Sequence, residues 1–198
     1  MNWLKKYSLR ENEMKPELKE QILQCNREIK EVDKIYNGLG ALNKTRSYLT
    51  NYALIKTCGT IEFVYRAIIA DFFDQFQVPQ INTYLEKNLR SGSRSALYEN
   101  MHKSLKEFDA EWASNFQSLV DQEGDKGRII QSVKSLVTNR HNFAHGKNST
   151  VTFGDIKQYY CDGLVLISKI DIVINNVTED DVNEYVTVVF DEDEEIEE

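Results

Sequence analysis

Proline and glycine are scarce in this 198-residue chain, which has two of the first and nine of the second. An all-β domain, with a turn about every 8–12 residues, is hard to build from so few turn residues, and long helices are favoured instead. Cysteine is scarce too. Cys25, Cys58 and Cys161 are odd in number, lack C-x-x-C spacing and fall within helical patterns, so neither a disulfide framework nor a zinc ribbon is indicated. No run of roughly 18 uncharged apolar residues exists. The most apolar stretch, Ile61 to Phe76, is interrupted by Glu62, Arg66, Asp71 and Asp74, so no membrane-spanning helix and no membrane partner are expected. The start, Met-Asn-Trp-Leu-Lys-Lys, lacks an apolar signal region, and the expected location is the cytoplasm. A basic excess is also absent: the formal net charge is −8, which as an average argues against a nucleic-acid partner.

The average conceals two opposite parts. From Asp171 to Glu198 there are 12 acidic residues and no Lys or Arg, which leaves 24 basic and 20 acidic residues in 1–170, a body of net +4. The body is able to approach RNA, whereas the run Asp191 to Glu198 is a like-charge block expected to be mostly disordered. Just before it, Glu184 to Phe190 is β-branched and aromatic, the composition of a short strand or a partner-binding segment. The expected division is a helical domain over 1–176 and an acidic C-terminal tail over 177–198.

Helical periodicity dominates the body. Leu18, Ile22, Cys25, Ile29, Val32 and Tyr36 form one amphipathic face ending near Gly38. From Thr45 to Phe76 a second helix is apolar on most of its circumference and should be the central one. Pro79 suits the first turn of a shorter helix. The polar segment 79–122 carries scattered aromatics (Tyr98, Phe108, Trp112, Phe116) and the cations Arg90, Arg94, Lys103 and Lys106. Such a set can stack and hold single-stranded bases, although ordinary packing is the better expectation. After Gly127 a strong helix runs to Gly146, which is placed as the residue that stops it. Thr152 and Asp155 then form a capping-box variant opening a last helix with Phe153, Ile156, Tyr160, Leu164, Ile167, Ile170 and Ile174 on one face. The fold class is therefore all-α, a helical bundle.

One helix breaks its own pattern. At 100° per residue, Ile129, Val133, Leu136, Phe143 and Ala144 lie within roughly 60° of Arg140, so a guanidinium sits in the middle of the buried stripe. Its candidate partner is Glu62, the one acidic residue in the middle of the second helix's apolar run. His141 and His145 flank the stripe one turn apart. Histidines at i and i+4 can chelate, yet that segment has no acidic residue beside them and an arginine adjoins them, so no metal and no cofactor is expected.

Arg140-His141-Asn142-Phe143-Ala144-His145-Gly146 resembles the R-x-x-x-x-H motif of HEPN domains, with a polar residue after the arginine and the Ala-His-Gly ending common in that group. The order of a long apolar helix with a lone glutamate, a late motif helix, a short loop and a terminal helix is similar to the RiboL-PSP or MAE-type HEPN subgroup, over about residues 14–176. This resemblance implies a compact HEPN-like helical bundle and a metal-independent endoribonuclease of the toxin or antiphage-defence kind. It implies Arg140 and His145 as catalytic residues, with His141, Asn142 and Glu62 in support. RNA is then the substrate, a homodimer the assembly, and an antitoxin or other defence-system protein a further partner. Two readings stay open beside it. One is a non-catalytic HEPN module that binds a protein partner or RNA, and the other is a helical interaction protein in which Arg140 and Glu62 are a simple core ion pair.

Overall fold

The structure, a computed structural model, describes residues 14–147 and 150–187. Among these residues there is no strand, and the helices follow in the order α1 (Pro16–Gly38), α2 (Thr45–Asp74), α3 (Pro79–Leu85), α4 (Tyr98–Phe108), α5 (Ala110–Asp121), α6 (Lys126–Ala144), α7 (Phe153–Asn175) and α8 (Glu179–Val186). No helix among them is long and apolar enough to cross a membrane.

Local chemistry explains most of the boundaries. Pro16 and Pro79 each occupy the first turn of a helix, where a missing N–H costs nothing. Asp109 separates α4 from α5, its Oδ1 accepting the Glu111 N–H at 2.7 Å. α7 starts on a complete capping box: Thr152 Oγ1 accepts the Asp155 N–H at 3.1 Å, and Asp155 Oδ2 accepts the Thr152 N–H at 2.9 Å. α3 runs on into a single π-helical turn, Glu86–Arg90. The chain leaves that turn at Gly92, where a Cβ would stand 2.6 Å from the Asn88 carbonyl oxygen, so only glycine fits.

α2 and α7 are the paired centre of the bundle, as the apolar circumference of α2 suggests. They approach closely at Gly163, whose absent side chain leaves room for Ile61. α1 covers one side with Leu18, Ile22, Cys25, Ile29 and Val32, and Tyr160 Oη donates to Asn26 Oδ1 at 2.8 Å across that interface. α6 covers another side with Ile129, Val133, Leu136 and Val137. At about 1.5–3 kcal/mol per buried aliphatic side chain, this shared core fixes where α2 and α6 can place their polar residues.

The segment 79–122 packs rather than projects. Phe72 and Trp112 meet edge to face at 4.8 Å between centroids, and Tyr98 stacks on Phe116 at 5.5 Å. Arg90 is held by Asp71 and by Asp74, the latter at 2.7 Å, and Arg94 by Glu107 at 2.6 Å. Neither the rings nor these two arginines are presented for stacking on bases.

At the C-terminal side the stretch 184–190, whose composition suits a short strand or a partner-binding segment, begins as helix and not as strand. Glu184–Val186 complete α8, and the remaining residues of that stretch, 188–190, lie outside the described residues, as does the acidic run from Asp191. A second capping box, Thr178 with Asp181, starts α8, and Val182 and Tyr185, three residues apart, bury against the bundle. Tyr185 Oη donates to Asp171 of α7. Packing and capping here override the strand preference of β-branched and aromatic residues.

Candidate functional site

The site begins with the way α6 ends. Gly146 has φ +72°, a left-handed conformation that glycine adopts without strain. Its N–H donates to Phe143 O at 3.0 Å, and the Lys147 N–H donates to Asn142 O at 2.9 Å. This is a Schellman motif with Gly146 as the residue just past the cap. The helix stops at Ala144, and His145 becomes the cap residue with φ −98° and ψ 20°. The expected stop at Gly146 therefore holds, and its consequence is that His145 is exposed at the helix end instead of being wrapped in a further turn.

His141, one turn earlier, is also exposed, and its ring lies 4.3 Å from that of His145, tilted by 57°. Asn142 and Phe143 are half-buried on the inner side, Phe143 against the core. No three His, Cys, Asp or Glu side chains among the described residues are grouped so as to hold a metal ion. The third histidine, His102, sits against Tyr98 on α4.

Arg140 points from α6 to α2. Its Nη2 donates to both carboxylate oxygens of Glu62, so the lone glutamate of α2 and the arginine of the α6 stripe meet. The Glu62 side chain is 12% exposed and that of Arg140 34%. The pair thus lies at the α2–α6 contact, Glu62 largely covered and Arg140 partly open to solvent. Cys58, one turn before Glu62 on α2, also touches the guanidinium. Burial works against the charge of Arg140, but its bonds to Cys58 and Glu62 outweigh that and raise its pKa above the ordinary value. Burial, reinforced by the Glu62 charge, pushes the Cys58 thiol up to about 12 despite the pull of Arg140. Cys58 is therefore a neutral neighbour, a place that its sequence setting does not signal, because a cysteine in an apolar run looks like any other core residue.

The arrangement is a fixed cation with an imidazole pair at its side, on one helix end. A guanidinium held on one side and open on the other is suited to a phosphate, whose oxygens match its donors. An exposed imidazole is suited to moving a proton. The five residues named from the sequence fall into two groups: Glu62 and Arg140 bonded to each other, and His141 and His145 side by side with tilted rings at the helix terminus, with Asn142 between them in sequence.

Against known protein families, the model described as RiboL-PSP-HEPN matches residues 20–176. No curated protein and no solved structure matches the chain.

Proposed function

The chain belongs to the RiboL-PSP-HEPN family, and from that membership we propose that it is a metal-independent endoribonuclease working through a dimeric R-x-x-x-x-H site, as a toxin or antiphage-defence effector. The observation that carries this reading is the split character of the motif: Arg140 is anchored by Glu62, while His145 is exposed at a helix end shaped by Gly146.

Cleaving RNA with side chains alone requires three things: a base to take the 2′-hydroxyl proton, an acid to protonate the departing 5′-oxygen, and positive charge on the pentavalent phosphate. Arg140 supplies the charge, and Glu62 positions it. His145 moves protons, with His141 or Asn142 orienting it or the phosphate. One chain carries one motif histidine, whereas the two proton transfers use two. A two-fold pair of chains supplies two copies of His145 and of Arg140 to one cleft. One His145 accepts the 2′-proton as the 2′-oxygen attacks phosphorus. The other donates a proton to the 5′-oxygen as its bond to phosphorus breaks. The products are a 2′,3′-cyclic phosphate and a 5′-hydroxyl. The substrate RNA and any neutralising antitoxin follow from the family reading and are open to direct test.

A second reading is favoured by one specific observation, the engagement of Arg140 by both oxygens of Glu62. In that reading the domain is a non-catalytic HEPN module binding RNA or a protein, and the pair serves packing. Purified wild type, Arg140→Ala and His145→Ala, incubated with total RNA, separate the two. The nuclease reading expects cleavage by the wild type and loss of at least about 100-fold in both variants, the scale of removing an acid–base or a charge-stabilising group. An inactive wild type, with His145→Ala silent and Arg140→Ala unstable, supports the module instead.

A further inference from the structure

Arg66, on α2 one turn after Glu62, is a second fixed guanidinium beside the motif. Its Nε donates to Glu62 O at 2.7 Å, and its Nη1 donates to Gly92 O in the loop after the π-helical turn. Glu62 is thus bonded to two arginines at once, to Arg140 through its carboxylate and to Arg66 through its carbonyl. The side chain of Arg66 folds back along the helix toward the turn that carries Arg140, and the residue is half-buried, with part of it open to solvent.

What sets Arg66 apart is its want of an opposite charge. Arg27, Arg90, Arg94, Arg128 and Arg140 each bond a carboxylate. Arg46, at the start of α2, lies over the Tyr36 ring. Among the described residues both hydrogen bonds of Arg66 go to neutral carbonyls, so its charge is held in place without being cancelled. The carboxylate of Glu62 is engaged by Arg140, and two guanidiniums against one carboxylate leave this corner with a net charge of +1. A guanidinium has five N–H donors, and the bonds of Arg66 use one on Nε and one on Nη1, which leaves Nη2 to face a ligand. Anchoring the loop does not require a cation. Tyr65 Oη reaches the residues just after Gly92, 3.2 Å from Arg94 O and 3.3 Å from Ser95 O. A fixed cation next to another cation, with no counter-ion among the described residues, is stabilised by an anion from outside.

We propose that Arg66 is a phosphate-binding subsite for RNA, holding the phosphate next to the one that Arg140 holds. Glu62 then orients both guanidiniums, one by each of its oxygen-bearing groups. The ligand assigned here rests on the nuclease reading, and Arg66 takes no part in the proton transfers. Four residues of α2, a rise of about 6 Å, separate Glu62 from Arg66, the same order as the step between successive phosphates of a nucleic-acid strand. The planar donors of a guanidinium match the non-bridging oxygens of a phosphodiester. The loop between the π-helical turn and α4 gains a role as well. Gly92, where a Cβ would meet the Asn88 carbonyl oxygen at 2.6 Å, presents the carbonyl that aims Arg66. RNA held at two consecutive phosphates has to continue past the cut, so a strand of several nucleotides binds better than a dinucleotide with a single phosphate.

The test measures binding of the full chain to a fluorescein-labelled oligouridylate with 2′-O-methyl groups, which cannot be cut by attack of a 2′-oxygen, so affinity is read without turnover. In anisotropy titrations at several salt concentrations, Arg66→Gln should raise Kd about 10-fold. It should also lower the steepness of log K against log salt by about 0.7, the contribution of one phosphate contact on a single strand. Arg66→Lys keeps the charge and should keep that steepness. A residue that only tethers the Gly92 loop would change the melting temperature and leave the salt dependence as it is. Phenylglyoxal modification of the wild type, mapped by mass spectrometry, keeps the test valid if the glutamine variant misfolds: the oligonucleotide should protect Arg66. An unchanged salt dependence in Arg66→Gln, equal modification of Arg66 with and without oligonucleotide, or a wild type that does not bind it overturns the inference. Cleavage of unmodified RNA is read separately. Arg66-dependent binding by a protein that never cuts RNA leaves the subsite standing and removes the nuclease reading. His145-dependent cleavage in which Arg66→Gln changes neither affinity nor salt dependence does the reverse.

Discussion

Arg140 and Glu62 have to be weighed by their exposure before any role is given to them. A fully buried ion pair broken on one side costs about 3–5 kcal/mol, because a charge is left desolvated and alone. Here the guanidinium is a third exposed, so water and salt screen much of that cost. Glu62→Gln is expected to lower stability by only about 1–2 kcal/mol, read as a shifted urea midpoint at unchanged slope. It is expected to lower kcat more than it raises KM, since Arg140 remains present but loses its anchor. Cys58 allows an independent check of the same corner. With its pKa near 12 the thiol is overwhelmingly protonated at pH 8, and it is buried, so the disulfide reagent DTNB should leave it unlabelled until denaturant is added. Rapid labelling in the native protein, mapped by mass spectrometry, would contradict the α2–α6 contact described.

At the scale of elements, helix ends do most of the positioning. Thr152→Ala removes the reciprocal bonds that start α7 and is expected to cost about 1 kcal/mol, a melting shift of about 2–4 °C for a chain of this size. The motif loop leads into that cap, so activity should fall with it if the α6–α7 connection holds His145 in place. Helix ends of this kind are legible in a sequence because a few polar residues at fixed spacing create them: Thr152 with Asp155, Gly146, and Pro79 all act where the pattern puts them. Glu62 is legible for a similar reason, being the one acid in the middle of an apolar run. What periodicity does not reveal is the face of α2 that the described residues leave exposed. That helix is apolar nearly all round, so Tyr48, Ile55 and Phe63 look like core residues until the other helices are in place. α8 was hidden differently. Its Tyr185 and Val186 suit a strand, and the capping box at Thr178, the burial of Val182 and Tyr185 and the bond of Tyr185 to Asp171, fourteen residues earlier, together favour the helix.

For the whole molecule, charge and symmetry are the deciding quantities. The body of +4 and the acidic C-terminal residues belong to one chain, so under the proposed RNA-cleaving function the acidic run is expected to compete with RNA for the body. Deleting Asp191 to Glu198, which removes seven negative charges, is expected to tighten RNA binding and to steepen its dependence on salt, as measured by fluorescence anisotropy at several ionic strengths. An unchanged affinity would return the acidic run to the role of a solubilising segment.

The central claim is that His145 and Arg140 cleave RNA by attack of its own 2′-hydroxyl, and the end groups of the product report on this directly. Wild-type protein incubated with total RNA in chelator should yield fragments bearing 5′-hydroxyls and 2′,3′-cyclic phosphates, or their opened monophosphates, and His145→Ala should yield none. Fragments with 5′-phosphates and 3′-hydroxyls, or equal cleavage by His145→Ala, would contradict it.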